Sequence, residues 1–109
     1  DETALFELKQ LEEGGFFSLN DFIDTFSEDG HARISAMHTA AAAGDSETME
    51  REAHTLKGSS TDLGARALAD LCADLEQLGH DGSLEGTKEL IASIETAFAR
   101  VRDELSRRF

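Results

Sequence analysis

Residues 53–61 read AHTLKGSST, and within that run His54, Lys57 and Gly58 could do chemistry together. Counted from Met49 at about 100° per residue, His54 lies about 140° round a helix, Lys57 about 80°, Gly58 about 180° and Thr61 about 120°. Those four residues share the outward side. Ala53, Leu56, Ser60 and Leu63 fall on the opposite arc with Met49, the face expected to pack on a core. A neutral imidazole keeps one ring nitrogen free near pH 7, so His54 is a nucleophile that needs no activating base. A lysine one turn along can balance the charge of a transferred anionic group. Glycine costs a helix interior about 1 kcal/mol relative to alanine, and at position 58 it clears space for another protein to approach. Nucleophile, cation and clearance together fit phosphoryl transfer to the imidazole, with a partner supplying the remaining chemistry.

Such a patch needs helices to hold it, and the composition favours them. The 109 residues include no proline, tryptophan or tyrosine, while alanine, leucine and glutamate abound. Glycine and small polar clusters at Gly14-Gly15, Gly44-Asp45, Leu63-Gly64 and Gly79-His80-Asp81-Gly82 divide the chain into segments with apolar residues three and four apart. The spacing predicts helices over 2–12, 19–43, 46–62, 65–78 and 84–107. Asp29-Gly30 is a turn signal inside the second, but the apolar phase is unchanged across it, so one long helix with a weak point is expected. Asp45 or Ser46 caps the third. The fold class is all-α: an antiparallel four-helix bundle with an additional short N-terminal helix. Residues 1–109 read as a single domain, with about 1–16 as a cover helix, carrying Leu5, Leu8 and Leu11 on one side, and about 17–109 as the bundle.

A net charge of −13 argues against nucleic acid and against direct contact with anionic membrane. It favours partners with a neutral or basic docking surface, and a monomer is the simpler expectation. No stretch reaches the ~18 consecutive apolar residues of a membrane span. Cys72 is the one cysteine, so no internal disulfide forms, and a reducing cytoplasm is the default location. Asp1 in place of methionine, with no signal-peptide pattern, fits a segment of a longer protein.

The run Ala53-His54-Thr55-Leu56-Lys57-Gly58-Ser59-Ser60, followed by Asp62-Leu63-Gly64-Ala65, closely resembles the signature of histidine-containing phosphotransfer (HPt) domains. Leu68, Leu71-Cys72 and Leu75-Glu76 look like the helix that follows it in that family. Phe22 and Phe26, and Leu90, Ile94 and Phe98, resemble its bundle partners, so the likeness runs from about residue 17 onward. The resemblance implies that His54 accepts a phosphoryl group from the aspartate of one response-regulator receiver domain and passes it to another. It implies that Lys57 balances the phosphate charge, that Gly58 admits the receiver, and that Glu76 hydrogen-bonds the ring nitrogen of His54 that is not phosphorylated. Thr61 and Arg51, on the same outward side, are further candidates for contact with the partner. No cofactor is expected, since Mg²⁺ would belong to the receiver's aspartate cluster. With no phosphate-binding glycine loop, the chain reads as a phosphocarrier and not a kinase. The parent protein is expected to be cytoplasmic, or the cytoplasmic part of a membrane-bound sensor kinase.

Two rival readings stand beside this one. An acidic bundle could dock receivers without any phosphoryl transfer. A metal-binding bundle fits less well, because its Glu-x-x-His spacing is missing at Glu50-Arg51-His54 and His54 faces outward. His31 and His38 show no partner in the sequence, and His80 reads as an exposed loop residue. Arg66 reads as a surface charge, Ser59 and Ser60 as packing-sized residues, and Cys72 as a small hydrophobe on the core stripe.

Overall fold

The computed structural model describes residues 1–13 and 18–108, with Glu12 described in its backbone alone. The Gly14-Gly15 break and the boundary between cover helix and bundle therefore lie outside the described residues. Five helices follow in order: α1 (Glu2–Glu13), α2 (Leu19–Ala43), α3 (Ser46–Asp62), α4 (Arg66–His80) and α5 (Thr87–Arg108). Among the described residues there is no strand, and no helix is long and apolar enough to cross a membrane.

Local signals set the boundaries that matter for the patch. Ser18 caps α2 by accepting from the Asp21 amide, and Asp45 caps α3 by accepting from the Thr48 amide at 3.1 Å. Between α2 and α3 the chain reverses at Gly44, whose φ of 73° is a left-handed conformation that glycine adopts without a Cβ penalty. The bundle helices pack in a ring: α3 lies against α4 and α2, and α5 closes it against α2 and α4. Short connections between neighbours make this ring antiparallel. Met37, Met49, Ala53, Leu56, Cys72, Leu75, Ile91 and Ile94 are fully shielded at its centre. Burial of about 1.5–3 kcal/mol per large apolar side chain is what holds α3 face-down and leaves its other side to solvent.

Three sequence-based expectations change. Leu11 is exposed while Leu5 and Leu8 pack on the core. A strict spacing of three slips about 60° per step against a helix of 3.6 residues per turn, so the third leucine rotates off the face. Gly79 and His80 belong to α4 and not to a loop, and Gly79 is buried where α4 crosses α3. A Cβ there would stand 2.8 Å from Glu50 Cβ and 2.9 Å from both the Glu50 amide nitrogen and the Ser46 carbonyl oxygen. The helices approach so closely that only glycine fits. Helix α5 also starts at Thr87, three residues later than its pattern suggested.

Gly30 is likewise explained by packing and not by a turn. Helix α2 runs through it unbroken, and a Cβ at that position would fall 2.2 Å from Phe98 Cε2. The Phe98 ring is itself buried and tilted against Phe26, with ring centroids 5.2 Å apart. Gly30→Ala should therefore lower stability by up to about 2 kcal/mol, because overpacking costs about 1–3 kcal/mol and alanine's better helix propensity returns about 1 kcal/mol. A urea midpoint equal to or above that of the wild type would contradict this.

Candidate functional site

Helix α3 presents His54 away from the core at the α3–α4 seam, with its side chain 66 % exposed. Glu76, one helix over, lies alongside it. His54 Nδ1 donates to Glu76 Oε2 at 2.7 Å, and Lys57 Nζ donates to Glu76 Oε1 at 2.5 Å. One carboxylate thus holds an imidazole and an ammonium with its two oxygens. The side chains meet because α3 and α4 run antiparallel with Leu56, Cys72 and Leu75 buried beneath them. An imidazole whose Nδ1–H is committed to a carboxylate carries its lone pair on Nε2. That nitrogen is the one free to react.

The hydrogen bond from Lys57 lowers the Glu76 pKa below the ordinary carboxylate value of 4.5; burial opposes this, and the bond from His54 adds to it. The sign follows from linkage. A carboxylate with a depressed folded-state pKa stabilises the fold above 4.5, and that contribution is lost as pH falls through the lower, folded value. Glu76→Gln should thus trail the wild type by under about 1 kcal/mol from pH 7 down to about 5, with the gap closing below 4.5. Urea unfolding of both proteins over that range is the measurement, and a gap that widens on acidification would refute the assignment. Cys72, beneath the pair, takes no part: burial pushes its thiol up to about 12, so it stays protonated.

The other candidates lie outside this cluster. Arg51 is exposed on the preceding turn. Thr61 is exposed two turns on, and its hydroxyl donates to the Lys57 carbonyl at 2.8 Å. Gly58 is exposed, and a Cβ built on it meets nothing within 4 Å. Among the described residues nothing requires a glycine there.

Several polar contacts were not expected from the sequence. Glu52 is buried on α3 and pairs with Arg33 of α2 at 3.0 Å, pinning the two helices together. Its position about 60° from Met49, just past Leu63 at the edge of the apolar arc, is the signal that marks it. His38 pairs with Glu95 of α5, and His80 faces Glu50 at 3.4 Å. A polar cleft of about 390 Å³ opens beside the cluster, lined by Glu50, Lys57, Ala73, Glu76, Gln77 and His80. Among the described residues, no group of three or more His, Cys, Asp or Glu side chains is placed to hold a metal ion.

The chain is similar to histidine-containing phosphotransfer protein B (HptB) from Pseudomonas aeruginosa PAO1, whose crystal structure superposes with a TM-score of 0.90. The two sequences are 32 % identical over 99 % of this chain and 91 % of that one. None of the curated proteins searched matches the chain. The Hpt domain family matches residues 21–104, from the first turn of α2 almost to the end of α5. With an all-α bundle and a 2.7 Å His54–Glu76 contact beside a lysine, that match identifies the chain as a member of the Hpt domain family and an intermediate in a phosphorelay.

Proposed function

We propose that His54 is the phosphoacceptor of this domain and that the phosphoryl group comes from, and returns to, the aspartates of response-regulator receiver domains. The observation that carries this reading is the tie between His54 Nδ1 and Glu76, which leaves Nε2 as the free nitrogen of an exposed side chain, with Lys57 held on the same carboxylate. Nε2 attacks the phosphorus of the receiver's aspartyl phosphate. The new P–N bond forms as the P–O bond to the aspartyl oxygen breaks, and the electron pair leaves with the carboxylate. Positive charge developing on the ring is stabilised through Nδ1–H by the Glu76 carboxylate. Lys57 turns from Glu76 to the phosphoryl oxygens as they arrive, exchanging one charge-assisted bond for another. Transfer to a second receiver reverses these steps.

The chain's own residues thus supply nucleophile, orientation and charge balance. The divalent cation of the reaction belongs to the receiver. Membership of the Hpt domain family supports this reading, in which the chain is a phosphocarrier between two such receivers. The test is direct: a ³²P-labelled receiver is mixed with the wild-type chain, and the label is followed by gel and mapped by mass spectrometry. Label that is acid-labile, base-stable and located on residue 54 is expected. If every candidate receiver keeps its label, the domain is a docking module and the reading fails.

A further inference from the structure

The cleft beside His54 contains one carboxylate that the phosphoacceptor cluster leaves aside. Glu50 and His80 stand at its far end, across the same α3–α4 seam and one turn from His54 and Glu76. Glu76 has Lys57, Glu52 has Arg33, and Glu104 has Arg107 and Arg108, whereas Glu50, like Glu95 beside His38, faces a histidine, and of those two only Glu50 lies in this cleft. Glu50 Oε1 faces the His80 ring, with Nδ1 at 3.4 Å. That distance is beyond an ordinary N–H···O hydrogen bond, so the contact is loose and open to exchange. The backbone beneath it is not loose. Gly79 lets α4 press against the Glu50 amide and Cβ, which fixes where the carboxylate emerges at the cleft mouth.

A protein that brings a phosphoryl group to His54 Nε2 must stand over this cleft, because Lys57 and Glu76 belong to both. A chain of net charge −13 draws in partner surfaces that carry basic groups. Resting on the phosphotransfer reading and deepening it, we propose that Glu50 is a specificity-determining residue that receives a lysine or arginine side chain of the docking receiver. The incoming cation replaces the loose contact to His80 with a charge-assisted one. Glu50 touches none of the reacting atoms, so it acts on recognition and leaves the transfer step alone.

The experiment uses the receiver, among those encoded by the same genome, that labels the wild-type chain fastest. Transfer rates are measured against receiver concentration for the wild type, Glu50→Gln and His80→Gln, at low and high salt. Glu50→Gln should raise KM about tenfold at 50 mM salt with kcat unchanged, and the difference should shrink at 0.5 M salt as the ion pair is screened. His80→Gln should change KM less than twofold, because the imidazole only gives way. Thermal melting of Glu50→Gln should match that of the wild type, which separates lost recognition from lost structure. Equal KM and equal salt dependence for wild type and Glu50→Gln, with His54 labelled in both, would overturn the assignment while leaving phosphotransfer standing. Absence of label on the wild type would remove both.

Discussion

His54→Gln should fold as the wild type does and accept no phosphoryl group from any receiver. The two halves of this result have separate causes. His54 is 66 % exposed, and among the described residues its side chain pairs with the Glu76 carboxylate at the surface of the seam. Removing an exposed pair of this kind costs about 0–1 kcal/mol, so melting should fall by no more than about 4–8 °C. Glutamine offers an amide where the imidazole held a lone pair on Nε2, and an amide nitrogen is no nucleophile. Transfer should therefore fall at least about a thousandfold, as expected when the group that forms the covalent bond is removed. The control is internal, because His38 and His80 are also exposed imidazoles facing glutamates. Neither has a lysine three residues along: position 41 is alanine and position 83 is serine. If label on the variant persists at His38 or His80, a carboxylate-paired imidazole suffices and the role given to Lys57 is wrong. If label is lost only together with the folded structure, seen by circular dichroism, the variant has tested packing and not chemistry.

How far the sequence revealed this site depends on which contacts are local. His54, Lys57, Gly58 and Thr61 lie on one helix, so their shared face follows from a repeat of 3.6 residues and needs no knowledge of the fold. The ends of α2 and α3 are equally local, since Gly44 stops one helix and Asp45 caps the next. Glu76 could be placed at the flank of its helix by the same counting. Its position opposite His54, however, depends on how α3 and α4 slide past one another, and its simultaneous grip on Lys57 was not anticipated. Gly79 shows the difficulty most clearly. Propensity marks a glycine near the end of a helix as a stop, yet here it continues α4 because the Glu50 backbone leaves no room for a Cβ. The Arg33–Glu52 pair was hidden for a related reason. Charged residues at the edge of an apolar stripe read as solvated unless the neighbouring helix is known to supply a counter-charge.

Gly58→Ala should make the protein more stable and a worse phosphoryl acceptor. Among the glycines inside these helices, Gly30 and Gly79 are forced by Phe98 and by the Glu50 backbone, whereas a Cβ on Gly58 meets nothing within 4 Å. With no internal clash, alanine at 58 gains the full difference in helix propensity, about 1 kcal/mol, and Tm should rise by about 4–8 °C. The same methyl group stands one turn from His54 on the exposed side, where a receiver must close on Nε2. If that approach is tight, one methyl costs about 1–3 kcal/mol of overpacking, or roughly a 5- to 150-fold loss in the second-order rate of transfer. Gly30→Ala supplies the opposite pattern, losing stability while each folded molecule transfers at the wild-type rate. The two variants together separate a glycine kept for the fold from a glycine kept for a partner. Should Gly58→Ala be stabilised and still accept phosphate as fast as the wild type, the receiver does not approach over this face of α3. The docking geometry would then have to place it over α4.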